Sequence, residues 1–270
     1  MIKNILTKNY MAIFSLSDKT AVVTGASKGI GQSIAQLFAR QGADVHIVDL
    51  DEEAGEKAAE EINAGGGEAY FYRANVAHQA EVKEVFEKIF QVKNRLDILI
   101  NNAGIAHIGT LEETTEEDFD RIYAVNVKGV YNTSLAGVAK MKLSGGGVIL
   151  NLASIVALIG IPDRFAYSMS KGAVLTMTYS VAKDYLNDNI RCNAISPGRV
   201  HTPFVDGFIK ANYPGKEKEM FEKLSKSQPI GRMASPGEIA NLALYLCSEE
   251  AAFITGVNYP IDGGFSTLNA

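Results

Sequence analysis

The chain has 270 residues, of which 47% are hydrophobic and 21% are charged, a balance typical of one or two globular domains. The net charge of −5 argues against a nucleic-acid partner, and no apolar run reaches the length of a membrane span. Cys192 and Cys247 lie in apolar segments and predict buried, reduced thiols, so we expect a cytoplasmic protein.

Residues 1–15 contain lysines and a broken apolar stretch. They lack the long apolar core and the small-residue cleavage site of a signal peptide. We therefore expect a flexible N-terminal extension. Met11 leads directly into the first predicted strand, so translation from Met1 and translation from Met11 both stay open.

Short apolar segments alternate with amphipathic ones through the first half of the chain. Strands are predicted at 21–24, 45–48, 69–73 and 98–100, and helices between them at 30–41, 52–63 and 81–92. In the third helix, Val82, Val85, Phe86 and Ile89 have the spacing of residues that share one helix face. This pattern predicts helices that pack on a sheet.

The alternation continues in the second half. Thr115 and Asp118 form a capping box that predicts one long helix over 115–141. Further strands are predicted at 148–152, 190–195 and 257–261, and further helices at 165–186 and from Ser235 to about Ser248. Seven strands that alternate with helices predict a single doubly wound α/β domain over 16–270, with a seven-stranded parallel sheet and helices on both faces.

A glycine-rich loop, TGASKGIG, joins the first strand to the first helix over 24–31. Glycine lets the backbone approach a pyrophosphate closely, and the helix N-terminus offers it free N–H groups. The spacing departs from the usual G-x-G-x-x-G, and a tight strand–helix turn with no ligand is the alternative. The predicted coenzyme-binding residues of this loop are Gly25, Ser27, Lys28, Gly29, Ile30 and Gly31.

Asp49 ends the second predicted strand. A carboxylate at that place can accept hydrogen bonds from both ribose hydroxyls of NAD, and it repels the 2′-phosphate of NADP. Lys28 is a contrary signal, because a cation in the loop could meet that phosphate. We give the carboxylate more weight and predict NAD rather than NADP as the coenzyme.

Tyr167 and Lys171 are four residues apart and share one helix face, and Ser154 follows the fifth predicted strand. Tyr179 and Lys183 repeat the spacing, so the pair alone is weak evidence. We expect Tyr167 to act as general acid/base and Ser154 to position the substrate oxygen. A phenol needs about 4 kcal/mol to ionise near neutral pH, and a cation such as Lys171 at about 4 Å can supply it.

These motifs, in this order, resemble the short-chain dehydrogenase/reductase superfamily over 16–268, which implies a Rossmann-type fold and NAD(P)-dependent oxidation of a CH–OH group. The resemblance implies that Asn126 holds a water of the proton relay. It also implies a coenzyme contact for the Asn102-Ala103-Gly104 motif. Further implied coenzyme contacts are Pro197, Gly198, Val200 and Thr202, with Tyr167 and Lys171.

One position departs from the superfamily pattern. Asn75-Val76 stands where such enzymes usually have Asp-Val against the adenine. An amide oxygen can still accept a hydrogen bond from the adenine amino group. We therefore expect a slightly weaker adenine contact and no loss of binding.

Arg164 lies three residues before Tyr167, which predicts a cation beside the phenol if the helix already runs there. Such a cation suits a substrate carboxylate, and a solvated arginine or one paired with Asp163 is the alternative. The stretches 197–204 and 259–265 resemble the 2-keto-3-deoxy-L-fuconate dehydrogenase branch. That resemblance implies a sugar acid or other small hydroxy acid, bound by Arg164, Arg199 and His201 beneath a lid at about 204–228.

Two other functions stay open. A 3-oxoacyl-carrier-protein reductase would use NADPH and a basic docking surface, whereas a non-catalytic NAD-binding regulator would have no turnover. The superfamily resemblance and an apolar helix around 168–185 predict a homotetramer. The four histidines have no metal-ligand spacing with cysteine or carboxylate, so no metal is predicted.

Overall fold

A computed structural model describes residues 13–268, without the side chains of residues 211 and 212. All seven strands are parallel, in the order β3-β2-β1-β4-β5-β6-β7. The predicted fold class, a doubly wound parallel sheet in a single domain, is confirmed. The strands are β1 (Thr20–Thr24), β2 (Asp44–Asp49), β3 (Glu68–Arg73), β4 (Ile98–Asn101), β5 (Gly147–Leu152), β6 (Ile190–Pro197) and β7 (Asn258–Ile261).

Helices cover both faces of the sheet. The apolar sides of α1, α2 and α9 form the core on one face, and those of α3, α5 and α6 form it on the other. The helices are α1 (Gly29–Arg40), α2 (Glu52–Ala64), α3 (Gln79–Lys93), α4 (Glu116–Ile122), α5 (Gly129–Ser144), α6 (Phe165–Asp184), α7 (Pro203–Asn212), α8 (Glu217–Lys226), α9 (Pro236–Cys247) and α10 (Phe265–Leu268).

The prediction of one long helix over 115–141 is wrong in detail. α4 and α5 are separated by a π-helical turn at Tyr123–Lys128, in which Asn126 is buried. A π turn inserts one residue into the helical repeat and leaves the run of helix-compatible residues unbroken, so hydrophobic periodicity does not reveal it. The Thr115 cap is confirmed, because its hydroxyl accepts a hydrogen bond from the N–H of Asp118.

Most of the predicted N-terminal extension, including Met11, lies outside the described residues. Its last part packs on the domain. The N–H of Phe14 donates to the Glu250 carboxylate at 3.1 Å, and the Phe14 ring meets the Tyr245 ring of α9 edge-on at 5.8 Å. Phe14 therefore anchors the segment that precedes β1.

His46 is a buried titratable group on the second strand from one edge of the sheet. It lies on β2, is 0% exposed, and neither of its ring nitrogens has a hydrogen-bond partner. Its ring is stacked on Tyr70 at 5.2 Å and lies 5.6 Å from the Tyr72 ring. Burial, and secondarily the charge of Lys93, lower the pKa of His46 from 6.5 to about 4.

Acidification is expected to destabilise the fold through His46. Between pH 6.5 and about 4 the unfolded chain binds a proton at this residue that the folded chain does not, so stability falls as the pH drops through that window. The full shift corresponds to about 3 kcal/mol. Urea unfolding at pH 7 and near pH 4 should show a larger loss for the natural chain than for His46→Phe. Equal losses would mean that His46 titrates normally.

Candidate active site

A cavity of about 900 Å³ opens at the carboxyl edge of the sheet. β1 and β4 are neighbours whose following chains run to opposite faces, and doubly wound folds bind ligands in the crevice that this reversal creates. Most of the predicted site residues line the cavity: Lys28, Gly29, Ile30, Asn102, Gly104, Ser154, Arg164, Tyr167, Lys171, Pro197, Gly198, Arg199, Val200 and Thr202.

The glycine-rich loop has two different uses for its glycines. Gly25 and Gly29 have φ angles of 63° and 62°, in the left-handed region that favours glycine. A Cβ on Gly25 would lie 2.7 Å from the Cα of Ala103, and one on Gly31 would lie 2.3 Å from the Gly25 oxygen. Packing within the protein therefore requires glycine at Gly25 and Gly31. From the sequence alone, only the close approach of a pyrophosphate explained these glycines.

Gly29 leaves room for a phosphate. A Cβ there would come no closer than 3.5 Å to Thr202. α1 begins at Gly29 with no side-chain cap and no acidic residue in its first turn. Free N–H groups and a partial positive charge thus face the cavity, which fits the pyrophosphate of a dinucleotide.

The Asn102-Ala103-Gly104 motif ties the end of β4 to the end of β1. The Thr24 hydroxyl accepts from the N–H groups of Asn102 and Ala103, both at 3.1 Å. The Asn102 amide donates to the backbone oxygens of Thr24 and Gly25, at 3.0 and 2.8 Å. The motif holds the floor of the cavity in place, and Asn102 and Gly104 line it.

Two carboxylates, Asp49 and Asp51, lie at the end of β2 and just beyond it. One oxygen of Asp49 accepts from the N–H of Ser27 at 3.0 Å, and the other accepts from the N–H of Leu50 at 2.7 Å. The Lys28 ammonium is paired with the Asp51 carboxylate at 2.6 Å. The lysine that counted against NAD is thus already matched by a negative charge.

Asn75 adopts a turn of its own. Its side-chain oxygen accepts from the N–H of Ala77 at 3.0 Å, and its N–H donates to Glu81 at 2.8 Å. One lone pair of the amide oxygen is therefore used within the protein, and one is left for an adenine.

Some predicted coenzyme-binding residues do not line the cavity: Gly25, Ser27, Gly31, Asp49, Asn75, Val76 and Ala103.

Asn126 holds the loop that follows β4. Its buried amide accepts from the N–H of Ile105 and donates to the oxygen of Ile105, both at 2.9 Å, and it also donates to Ser170 at 3.0 Å. The π turn aims this side chain at the loop. Its expected part in a water relay stays a prediction.

Ser154 and Tyr167 meet in the cavity. Ser154 follows β5 and begins a short 3-10 turn, and Tyr167 lies in the first turn of α6. Burial raises the pKa of Tyr167 above its usual range, while a hydrogen bond with Ser154 and the charge of Arg164 oppose that rise. Both side chains line the cavity, and the expected role of Ser154 on the substrate oxygen stays a prediction.

Lys171 lies near the ring of Tyr167 and is held by the backbone. Its Nζ donates to the backbone oxygen of Leu152 at 2.7 Å and lies 5.7 Å from the centre of the Tyr167 ring. Burial lowers the pKa of Lys171 itself to about 8. Ser154 and Arg164 are the groups that lower the pKa of Tyr167 in this structure, and the expected effect of Lys171 on that pKa stays a prediction.

Arg164 and Arg199 both line the cavity. Arg164 precedes α6, so the helical spacing that suggested its position does not apply, but a backbone hydrogen bond of its guanidinium to Asp163 orients it. Arg199 donates to Ser227 at 3.0 Å. Burial and the charge of Arg164 lower the pKa of Arg199. Within residues 13–268, neither guanidinium forms an ion pair with a carboxylate. Arg164 contacts the backbone oxygen of Asp163 and not its carboxylate, which was the alternative partner considered from the sequence.

His201, predicted to bind substrate, makes its contacts outside the cavity, so that role stays a prediction. His201 is exposed, its Nε2 lies 2.9 Å from an oxygen of Asp206, and its ring packs on Phe221 at 4.9 Å. It does not line the cavity. These contacts connect the chain after β6 to α7 and α8, the two helices that form most of the predicted lid.

His107 and Gln228 are cavity residues that the sequence did not single out. The Nε2 of His107 lies 3.5 Å from Asp118, and its Nδ1 is buried without a hydrogen-bond partner. The sequence marks His107 as a possible cavity residue only by its position, three residues after Gly104. Over the described part of the chain, no cluster of histidine, cysteine and carboxylate side chains could hold a metal, and no helix is long and apolar enough to cross a membrane.

Known proteins share this architecture. A family model described as enoyl-(acyl carrier protein) reductase matches residues 25–266. An uncharacterized oxidoreductase of Thermotoga maritima is 45% identical over 250 residues, which cover 93% of this chain and 98% of that one. The chain belongs to the short-chain dehydrogenase/reductase superfamily. It is therefore an oxidoreductase that acts on CH–OH groups, interconverting secondary alcohols and ketones of small molecules.

Two further relatives bear on the substrate. A 3-oxoacyl-acyl-carrier-protein reductase of Thermotoga maritima is 37% identical over 249 residues, 92% of this chain and 98% of that one. The structure of L-sorbose reductase from Gluconobacter frateurii, complexed with NADPH and L-sorbose, has a TM-score of 0.90 and 31% identity, and covers 95% of this chain and 99% of that one. The narrower resemblance to the fuconate dehydrogenase branch stays a prediction.

Proposed function

We propose that this enzyme uses NAD(H) to interconvert a secondary alcohol and a ketone in a small acid, a sugar acid or another hydroxy acid. One observation carries the proposal. Arg164 and Arg199 face the catalytic cavity without a carboxylate partner among the described residues, and no Asp or Glu lines that cavity.

The charge of the cavity differs from that of the chain. The protein has a net charge of −5, yet every charged residue that lines the cavity is a lysine or an arginine. Lys28 is matched by Asp51, and the pKa of Lys171 is lowered by burial. The two arginines therefore repel each other with no internal counter-ion, and a substrate carboxylate would supply one.

The residues around Tyr167 can handle the proton of the reaction. In alcohol oxidation, the phenolate of Tyr167 takes the hydroxyl proton while Ser154 holds the same oxygen as it becomes a carbonyl. In reduction the phenol returns the proton to that oxygen. The nicotinamide coenzyme, when bound, accepts or supplies the hydride. Lys171, which donates to the Leu152 oxygen, would orient the nicotinamide ribose.

Arg164, which would bind the carboxylate, also affects the pKa of Tyr167, the proposed general acid/base. Arg164 lowers the pKa of Tyr167, which burial alone would leave high. Substrate binding would partly neutralise Arg164, so the phenol would be a stronger proton donor before the carboxylate binds than after. The pH dependence of turnover should therefore change when Arg164 is replaced.

NAD is the proposed coenzyme because of the negative charge after β2. Asp49 is oriented by backbone N–H groups, and Asp51 neutralises the one loop cation that could hold a 2′-phosphate. In the proposed complex, Gly29 and Ile30 present N–H groups to the pyrophosphate and Asp49 accepts the ribose hydroxyls. Val200 and Thr202 would hold the carboxamide, and Asn75 and Val76 the adenine.

Replacing Asp49 should shift the coenzyme preference. In Asp49→Ser, the like-charge repulsion of a 2′-phosphate is removed together with an acceptor for the ribose, so the ratio of kcat/KM for NADPH to that for NADH should rise at least about tenfold. Initial rates with both coenzymes measure it. Glu53→Ser, a nearby exposed change outside the cavity, is the matched control. An unchanged ratio, or a natural preference for NADPH, would contradict the role of Asp49.

Reduction of a 3-oxoacyl thioester on a carrier protein is the second candidate, supported by the 37% identical relative. The reacting segment of such a thioester has no carboxylate, so this function leaves the arginine pair without an explanation. Initial rates on hydroxy acids, matched neutral alcohols and a 3-oxoacyl thioester, each with both coenzymes, decide between them. The proposed function requires that the acids with NAD give the highest kcat/KM. A non-catalytic regulator would turn over none of them.

A homotetramer is proposed as the assembly. α5 and α6 carry large apolar side chains that the single chain leaves exposed, among them Tyr131 at 49%, Leu135 at 50% and Tyr179 at 44%. Apolar patches on two long helices are typical of subunit interfaces. Light scattering should give four times the mass of one chain, and a monomer mass would contradict the proposal.

A further inference from the structure

Apart from its cations, the cavity presents mostly hydrocarbon. The apolar side chains come from three separate parts of the chain: the loop after β4, the segment between β5 and α6, and the two helices of the predicted lid. They include Ile105, Ile108, Val156, Ile161, Phe204 and Leu224. A substrate that enters therefore exchanges water for aliphatic and aromatic surface over much of its length.

The polar side chains of the cavity are largely used within the protein. The Asn102 amide donates to two backbone oxygens. The Gln228 amide accepts from the N–H of Arg199 and donates to Ser227. Lys28 is held by its carboxylate partner. The N–H donors of the Asn102 amide are thus used, and Gln228 and Lys28 are tied to protein partners, so these groups have few donors left for the hydroxyls of a ligand.

Few groups remain for a substrate hydroxyl that does not react. Ser154 and Tyr167 are committed to the reacting oxygen and the arginine pair to the carboxylate. His107 has an unpartnered Nδ1, but that nitrogen is buried, and a Cβ on Gly109 would lie 2.8 Å from its Cε1, so the ring is packed against the Gly109 backbone. Each additional hydroxyl would lose its water without a replacement, which weakens binding about tenfold.

Accepting the proposed carboxylate site, on which this inference rests, we propose that the rest of the substrate is a hydrocarbon chain. The enzyme then acts on an alkyl or aryl hydroxy acid, or on the matching oxo acid, and selects against polyhydroxylated sugar acids. The hydrocarbon chain of the substrate would pack between the loops that follow β4 and β5 and the cavity-lining side chains of α7 and α8. Each buried methylene should raise kcat/KM about fourfold until the cavity is filled.

A substrate panel with saturating coenzyme tests the inference. It contains 2- and 3-hydroxy acids of increasing alkyl length, aldonic acids of equal carbon count, and 2-alkanols without a carboxylate. We expect kcat/KM to increase with alkyl length and to be at least about tenfold lower for the aldonic acids. If no member turns over, titration of the NADH-loaded enzyme with alkanoates and aldonates gives the same comparison as dissociation constants.

The outcomes separate this inference from the proposed function. Better turnover of the aldonic acids overturns the hydrocarbon inference and leaves the carboxylate site standing. Equal turnover of the acids and the 2-alkanols overturns the carboxylate site and, with it, the inference. A preference for long alkyl acids over both other classes supports both.

A pair of variants tests the apolar wall directly. Ile161 lines the cavity, whereas Ile159, two residues earlier, does not. Ile161→Thr should lower kcat/KM for the longer alkyl acids about threefold or more and leave that for aldonic acids unchanged or higher. Ile159→Thr should change neither. Equal losses on alkyl and aldonic acids in Ile161→Thr would show a merely structural effect and would contradict the inference.

Discussion

Tyr167→Phe should lose at least about a hundredfold in kcat and keep its affinity for NADH. The substitution removes one oxygen, the one that donates and accepts the proton in the proposed reaction, and general acid–base groups contribute about this much. The Phe ring fills the same volume in the first turn of α6, so the cavity should persist. Steady-state turnover and titration of NADH fluorescence measure the two effects separately.

Tyr179→Phe is the matched control for that variant. Tyr179 repeats the spacing of Tyr167, because Lys183 follows it by four residues, but it is 44% exposed and does not line the cavity. It should turn over normally. Near-normal turnover in Tyr167→Phe would refute the assignment of the general acid/base. A loss of NADH affinity equal to the loss of kcat would indicate a distorted cavity instead of a lost proton donor.

Removing the arginine pair should abolish the preference for acids. We expect Arg164→Gln and Arg199→Gln each to raise KM for a hydroxy acid at least about tenfold, and the double variant to raise it about a hundredfold, because each loses charge-assisted hydrogen bonds to the carboxylate. The KM for a neutral alcohol should change far less. Arg40→Gln, an exposed change at the end of α1, controls for loss of net charge.

Arg164→Gln has a second readout that a structural role would not produce. Arg164 lowers the pKa of Tyr167, so its removal should move the pH profile of alcohol oxidation to higher pH, and more so with neutral alcohols, which leave the guanidinium unpaired, than with acids. The charge of Arg199 acts on a different group and should leave that profile in place. Equal increases in KM for acids and neutral alcohols, with an unchanged pH profile, would contradict the proposal that the arginines bind a substrate carboxylate.

The sheet could be predicted because its local signals are redundant. Each strand is a short apolar run between turn residues, and each crossover helix has one apolar face. Periodicity therefore predicts seven strands that alternate with helices along the chain. The π turn around Asn126 could not be predicted in this way. The turn accompanies a tertiary contact, the amide of Asn126 on the backbone of Ile105, which leaves no trace in the pattern.

The proposed catalytic residues could be selected from the sequence because their spacing is fixed by helix geometry and by the strand end that precedes them. Electrostatic detail was not available from spacing. Lys171 shares a helix face with Tyr167, as predicted, but its ammonium turns to the Leu152 oxygen and is itself affected by burial. Arg164 has the predicted influence on the phenol although it lies outside the helix.

The substrate side was harder to predict because it is built from loops whose directions are set by tertiary contacts. Arg199 faces the cavity and His201, two residues later, faces α7 and α8. His107 lines the cavity with no motif to mark it beyond its distance from Gly104. The absence of acidic side chains from the lining is likewise a property of the folded chain and not of any segment.

A crystal structure of the enzyme with NADH and a 2- or 3-oxo acid tests the central claim most directly. The account predicts that the ketone oxygen lies within hydrogen-bonding distance of both Tyr167 and Ser154, with the carboxylate bound by Arg164, Arg199 or both. A carboxylate that points to solvent, or a ketone far from the Tyr167 hydroxyl, would contradict it.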